Sequence, residues 1–408
     1  MKFNVIGITD NPHPFFPPKV MEIIGKGRVF SGGRRHHEIV SQLLPDNATW
    51  VDITAPLDAV FEQYIHLTES FSWEEDTPTI VVFASGDPLF FGFANTIRRK
   101  MPAAEIETYP TFNSLQMLAH RQVMPYHDMR IVSLTGRPWQ EFDKALIEHV
   151  SKIGVLTDHE HTPAAIARRM LDYGYDHYTM IVGEHLGNPL QERVTKIALS
   201  EALTLEFSTP NCVILYSPEE TKPSFGIPDA EFALLDGRAK MITKMPIRLL
   251  TLQALELSRK KVFWDIGFCT GSVSIEARRL FPHLRVEAFE IRRECEAIIH
   301  ENARRFGTPG IGVHMGDFLA TDITDIPHPD AVFIGGHGGK LKEIMAKVLT
   351  VLSDDGIIVF NSVTSAAVSV DSHRLFEEAC STLGMKHEKA MKIVLDEHNP
   401  IEILKCRK

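Results

Sequence analysis

The chain has 408 residues, with 53 acidic against 43 basic side chains and a formal charge of −10, a balance that repels nucleic acid and anionic membranes at long range. Hydrophobic residues make up 44% and charged ones 24%, ordinary proportions for a globular protein, and no run approaches the roughly 18 apolar residues of a membrane span. The length exceeds what one hydrophobic core organises, so two or more domains are expected, and the 5 cysteines, odd in number and without CxxC spacing, argue against a disulfide framework or a zinc site.

The opening "MKFNVIGITD" carries one lysine and a short apolar run that ends at a turn. It reads as a first strand and not as a secretory leader, so a cytoplasmic protein is expected. "NPHPFFPPK" at 11–19 reads as a surface loop. "FSGGRRHHEIV" sets Arg34, Arg35, His36 and His37 beside a glycine turn. Taken alone this is a solvated basic helix start, although arginine also pairs bidentately with carboxylates. "TIVVFA" reads as a buried strand running into Ser85-Gly86-Asp87-Pro88. There Gly86 and Pro88 shape a tight turn with free backbone groups, and local physics favours Asp87 as the cap of the next helix. Further strands read "RIVSL", "KIGVLT", "HYTMIVG" and "NCVILY", with amphipathic stretches between them, which predicts α/β architecture with largely parallel sheets. "DHEH" at 158–161 precedes Thr162-Pro163 at a helix start and offers no paired spacing on one helix face, so no metal is expected there.

The stretch after Tyr216 is rich in proline and charge and reads as a linker. The expected organisation is therefore a domain at 1–215, a linker at 216–240 and a second α/β domain at 241–408. The second series begins with "VFWDIGFCTGSVSIEA". A strand ends in Asp265, a turn runs from Gly267 to Gly271, and the chain enters a helix, the pattern in which small residues let backbone approach a cofactor. Glu290 closes the next strand, where a carboxylate can accept from ribose hydroxyls or simply sit solvated at the strand end. Asp317 in "MGDF" closes the third, either as a plain turn aspartate or placed to bond an adenine amino group with Phe318 over the ring. The same unit also suits an NAD-dependent oxidoreductase, but its turn should read GxGxxG, whereas positions 267–272 read "GFCTGS". "FIGGHGGKLKEIM" then surrounds His337 with Gly335, Gly336, Gly338 and Gly339, a backbone-rich rim open to a large ligand.

These motifs resemble known families. The second half resembles the class I Rossmann-like methyltransferases that use S-adenosylmethionine (AdoMet), whose first motif is DxGxGxG; Cys269 replaces the central glycine. "IGGHGGKLKEI", with "NSVT" at 361–364, resembles the decarboxylating carbon-15 methyltransferases of corrin-ring biosynthesis over residues 241–370. In the first half, "FSGGRRHHEIV", "SGDPLFFG", "YPTFNSLQMLAHR", "VSLTGR", "TDHEHTPAAIARRML" and "VGEHLGNPLQERV" occur in one order and resemble the tetrapyrrole methylase family, specifically its carbon-5 members, over 1–215. There Gly7-Ile8-Thr9-Asp10-Asn11 replaces the usual GxGPG, and Thr135 stands where histidine is common. The resemblance implies a class III fold of two α/β subdomains followed by a class I fold. It implies AdoMet contacts at Gly86, Asp87 and Pro88 and at Asp265, Gly267, Gly271, Glu290, Asp317 and Gly335. For a polycarboxylate tetrapyrrole substrate it implies Arg34, Arg35, His36, His37, Arg137, Gly336, Gly338 and Thr364. His337 becomes the candidate proton carrier for decarboxylation, no metal is implied, and a homo-oligomer without nucleic-acid or membrane partners is expected. A tetrapyrrole-binding protein without catalysis is the other reading that the altered loops at Gly7 and Cys269 leave open.

Overall fold

After its first residue, the run Lys2–Ile8 is buried at every position. A strand covered on both faces belongs inside a parallel sheet, and the computed structural model places it there. The structure describes residues 1–70, 78–218, 224–236, 238, 241–363, 372–388, 391–395 and 400–408. Two compact units divide the chain. One comprises Met1–Arg137, Ser151–Arg168 and His177–Ser217, the other Pro138–Val150, Arg169–Asp176 and Pro218–Lys408.

In the first unit, β1 (Lys2–Ile8), β2 (Val29–Gly32), β3 (Thr49–Asp52), β4 (Thr79–Ser85) and β5 (Glu105–Tyr109) form a parallel sheet of order β3-β2-β4-β1-β5. A second sheet follows from β6 (Arg130–Ser133), β7 (Lys152–Leu156), β8 (Thr179–Glu184), β9 (Arg193–Ala198) and β10 (Asn211–Tyr216), in the order β6-β7-β10-β8-β9. Here the expectation of parallel pairing fails, since only β6 and β7 run parallel. The connection from β8 to β9 spans only residues 185–192, too short for the helical crossover that parallel neighbours require.

The second unit holds β11 (Val262–Ile266), β12 (Arg285–Glu290), β13 (Ile311–Met315), β14 (Ala331–Ile334), β15 (Ile357–Val363), β16 (Lys386–His387), β17 (Met391–Ile393) and β18 (Ile401–Arg407). Their order is β13-β12-β11-β14-β15-β18-β16, with β17 also on β18, and pairing is parallel as far as β15. The order reverses at β11, whose carboxyl end therefore opens into a crevice suited to a ligand. Behind it Trp264 packs against Phe289 at 5.0 Å and Phe318 at 6.1 Å between ring centroids. Among the described residues no helix is long and apolar enough to cross a membrane.

The stretch read as a linker is partly core. Ile227 and Phe232 are buried in a cluster with Ile242 and Ile275. Arg248, itself fully buried, holds this stretch in place. It donates to Ile227 O at 2.5 Å, to Asp229 Oδ1 at 3.1 Å, to Thr243 O at 2.7 Å and to Glu276 Oε2 at 3.1 Å. Breaking a buried ion pair by deleting one member leaves the other charge uncompensated. Arg248→Ala should therefore cost the second unit about 3–5 kcal/mol in urea denaturation; a loss near that of an exposed arginine would show that the network is not needed to hold the stretch down.

Candidate active sites

The first unit carries a cavity of about 620 Å³, within the range of small-ligand sites. Strand polarity assembles it. The ends of β1 and β4 from the first sheet, and the ends of β6 and β7 with the start of the antiparallel β10 from the second, line it through Ile8, Ser85, Ser133, Leu156 and Asn211. Phe83, Phe90, Phe91, Phe93 and Phe112 supply an aromatic wall. From the helix Arg34–Val40, Arg35 and His36 reach this cavity, whereas Arg34 pairs with Glu38 at 3.3 Å and His37 stacks on Trp50 at 4.2 Å. Arg35 donates to Asp10 Oδ1 at 2.5 Å and to Ser85 Oγ at 3.0 Å, while Asp10 Oδ2 lies 2.8 Å from His185 Nδ1. Burial, with Arg35 adjacent, pushes the His36 pKa down to about 4, so its imidazole is neutral where it meets Ser85 Oγ at 2.9 Å. Arg137 donates to Ser133 Oγ at 2.6 Å and lies over the Phe91 ring at 5.2 Å. Its turn is fixed by Asp158, which accepts from Gly136 N–H at 2.8 Å.

The SGDP turn behaves differently from the reading drawn from family resemblance. Gly86 lines the cavity, but its backbone is not free: its N–H donates to Ile8 O at 2.8 Å and its carbonyl accepts from Thr111 at 3.3 Å. Asp87 Oδ1 accepts from Leu89 N–H at 2.8 Å, closing its own turn, and neither Asp87 nor Pro88 is among the lining residues.

In the second unit a cavity of about 840 Å³ opens at the end of β11, lined among others by Asp265, Gly267, Cys269, Thr270, Gly335 and Gly336. Gly267 has φ +81°, and a Cβ there would sit 2.7 Å from Gly336 N, so glycine is what allows the two loops to touch. Asp265 Oδ2 accepts from Ser274 N–H at 3.1 Å and from its hydroxyl at 2.6 Å. Asp265 Oδ1 and Thr270 Oγ1 are buried with no hydrogen-bond partner among the described residues. Burial, only partly offset by Ser274, pushes the Asp265 pKa up to about 7. Two orphaned acceptors on a cavity wall fit the ammonium-bearing end of AdoMet, and these residues would hold it. Cys269 takes φ +52°, unusual for a residue with a Cβ, and its Sγ donates to Met241 O at 3.2 Å.

Glu290 is buried but not free to wait for ribose hydroxyls. Its carboxylate accepts from Cys269 N–H at 3.0 Å and from both Nε (3.0 Å) and Nη2 (2.6 Å) of Arg292, besides two further backbone donors. Burial acts to raise its pKa, yet these donors prevail and hold it below the usual carboxylate range. Arg292 is the member of the pair that faces the cavity. Gly271 caps the helix Ser272–Leu280 at φ +74°, where a Cβ would meet Ile299 at 2.4 Å; its bareness serves helix packing. Asp317 closes its own turn on Leu319 N–H at 3.0 Å and lies 3.5 Å from Lys340, outside the lining, and the Phe318 ring is turned into the core. His337 follows Gly336 but is half-buried, accepts from Gly339 N–H at 3.1 Å and has its pKa lowered by burial. Gly338 is open on the exposed rim, and Thr364 lies outside the described residues.

Sequence reasoning missed Asp10, His185, Lys244, Thr270, Arg292 and Asn361. All but His185 line a cavity, and His185 is bonded to Asp10. Asp10 was visible only as part of a loop that departs from the family's glycines, and Asn361 only as the first letter of "NSVT".

Comparison with known proteins also divides the chain in two. Residues 16–203 match the Tetrapyrrole (Corrin/Porphyrin) Methylases and residues 236–394 the Precorrin methyltransferase domain. The chain is thus, in class, an AdoMet-dependent methyltransferase carrying two methyltransferase folds. A precorrin-6Y C(5,15)-methyltransferase (decarboxylating) of Sinorhizobium sp is 30% identical over 372 residues, covering 90% of this chain and 87% of that protein. The chain belongs to the precorrin-6Y C(5,15)-methyltransferase (decarboxylating) family. A cobalt-precorrin-6B C(15)-methyltransferase (decarboxylating) of Salmonella typhimurium is 30% identical over 43% of this chain and 93% of its own length. A cobalt-precorrin-7 C(5)-methyltransferase of the same organism is 26% identical over 52% of this chain and 97% of its own.

The raised Asp265 pKa gives the second cavity a pH signature. Between the ordinary carboxylate pKa of 3.8 and about 7 the folded protein binds a proton that the unfolded chain does not, so this group makes the free protein less stable as pH rises through that window. A cationic ligand reverses the sign, because it favours the ionised carboxylate. AdoMet affinity of the second cavity should therefore tighten from pH 6 to pH 8. Asp265→Asn should weaken it by about 1.5–3 kcal/mol and flatten the pH dependence, as read by calorimetry on the full chain; an unchanged profile in the variant would remove Asp265 from the site.

Proposed function

We propose a division of labour for a chain that methylates carbons 5 and 15 of a precorrin and decarboxylates it in cobalamin biosynthesis. Residues 1–215, which hold the cavity of the first unit, carry out the carbon-5 methylation. Residues 241–408, which hold the cavity of the second unit, carry out the carbon-15 methylation and the loss of carbon dioxide from a ring acetate. The observation that supports this is the presence of two cavities, each within one unit and each bordered by arginine: Arg35 and Arg137 in one, Arg292 together with Lys244 in the other. A polycarboxylate macrocycle asks for such cations, and guanidinium already held by Asp10 or Glu290 loses little freedom when it pairs with a carboxylate.

AdoMet supplies an electrophilic methyl on a sulfonium centre. The meso carbons of the ring are electron-rich and enamine-like, so the protein needs no nucleophile of its own. Its residues align the carbon and exclude water, an effect that reaches about 7–11 kcal/mol in favourable cases. When carbon dioxide leaves, the bonding pair passes into the conjugated ring and a proton is delivered to the carbon. His337 is the proposed proton carrier: burial lowers its pKa, so its imidazole first takes up a proton from water and then passes it to the carbon. A cytoplasmic homo-oligomer completes the reading.

The test is product mass after incubation with the hydrogenated precorrin and AdoMet: two methyl groups gained and one carbon dioxide lost. Ser85→Trp fills the first cavity from an exposed position, and Gly336→Arg fills the second from a glycine whose added Cβ meets nothing within 4 Å. Each variant should yield its own singly methylated compound, and mixing the two should restore the double product. Loss of both methylations in either folded variant, even in the mixture, would overturn the division. His337→Ala should slow decarboxylation by about 100-fold or more with AdoMet affinity unchanged; an unaltered rate would make it a rim residue.

A further inference from the structure

A third cluster lies outside both cavities. The helix Ser372–Leu383 places His373 and Glu377 four residues apart, on one face. Glu377 Oε1 lies 3.2 Å from His373 Nε2 and 3.7 Å from Nδ1 of His387 on β16, and one ligand atom from each of the three residues falls within 4.8 Å of the others. The longer of these distances exceeds a hydrogen bond. Both are close to the separation of about 3.4 Å between donor atoms of a tetrahedral ion with bonds of about 2.0–2.1 Å.

Glu402 of β18 adds an independent feature. Its Oε2 lies 2.7 Å from His373 Nδ1. A carboxylate there accepts from Nδ1–H and fixes the ring; a cation that displaced the proton between Nε2 and Glu377 Oε1, now 3.2 Å apart, would meet an Nε2 lone pair already directed at the cluster, the arrangement that orients metal-bound imidazoles. Access is open, since Glu377 is exposed and both histidines are only half-buried. Alternation along β18 separates the cluster from the methyltransferase cavity: Ile401 lines that cavity, so its neighbour Glu402 points to the other face of the sheet.

We propose that His373, Glu377 and His387 form a binding site for one divalent cation of the zinc class, with Glu402 as the positioning residue and a fourth coordination place left to water. Two imidazoles and a carboxylate suit Zn²⁺ or Co²⁺ and not the hard cations that prefer all-oxygen shells. The ion ties the helix to β16 and so stabilises the antiparallel edge of the third sheet. Composition and motif spacing hide such a site, because His387 and Glu402 approach the helix only through strand pairing.

The test uses the untagged full chain, stripped with a chelator and titrated with Co²⁺ alone. The visible absorption of tetrahedral Co²⁺ should grow to a single equivalent, vanish on addition of Zn²⁺, and be accompanied by a rise in the thermal midpoint. His373→Ala and His387→Ala should lose the spectrum, and Glu402→Ala should weaken binding by about 10–100-fold. Circular dichroism checks folding, and His387→Gln replaces the alanine variant should that one fail to fold. Absence of saturable Co²⁺ binding, a thiolate charge-transfer band pointing to cysteine ligands, or equal affinity in folded variants would each overturn the proposal and leave the cluster an ion-pair network.

Discussion

Each unit depends on backbone meeting backbone without a side chain between. In the first, a Cβ on Gly7 would fall 1.8 Å from Gly86 O; in the second, a Cβ on Gly267 would fall 2.7 Å from Gly336 N. These contacts lay the end of β1 against the loop after β4, and the loop after β11 against the loop after β14, at the edge where parallel strands point their carboxyl ends. Any side chain at Gly7 or Gly267 would wedge the loops apart. What the glycines secure is a floor of closely laid loops, against which longer side chains can be held in one orientation.

Charge is then distributed over that floor in pairs. Arg35 is held by Asp10, and Arg292 by Glu290, so each cation reaches its cavity with its geometry already set. Asp265 is the exception, a buried carboxyl with one oxygen satisfied by Ser274 and the other left unpartnered among the described residues. An isolated buried carboxylate is costly, and the raised pKa is how the free protein avoids ionising it. A donor arriving from a bound ligand would offset that cost, so the orphaned oxygen, more than any motif letter, marks where the cavity is short of a partner.

The strands were legible because doubly covered strands write themselves as continuous apolar runs: "FNVIGI", "TIVVFA" and "VFWDIG" fall on β1, β4 and β11. The mixed second sheet was not, since strand direction depends on connection length and pairing partner, neither of which periodicity reports. Glycine gave a mixed signal for the same reason. Gly267 and Gly271 look alike in sequence, yet one faces Gly336 across the cavity floor and the other faces Ile299 in a helix contact. At Asp87 the expected helix cap does not form: the next helix is Phe93–Lys100 with Gly92 at its N-cap, and Asp87 closes its own turn on Leu89 N–H, outside the cavity lining.

Side-chain direction was the least legible property. In "GGRRHHE" four candidate groups stand in succession, but one turn of helix divides them, sending Arg35 and His36 inward while Arg34 and His37 find partners elsewhere. Likewise Phe318 follows Asp317, and strand-end geometry sends one into the core and leaves the other at the surface. Reactions whose nucleophile is the substrate's own carbon make this worse. They demand no Ser-His-Asp or Cys-His constellation, so the protein's contribution lies in placement, and placement is a property of the folded backbone that residue identity constrains only where a side chain must be missing.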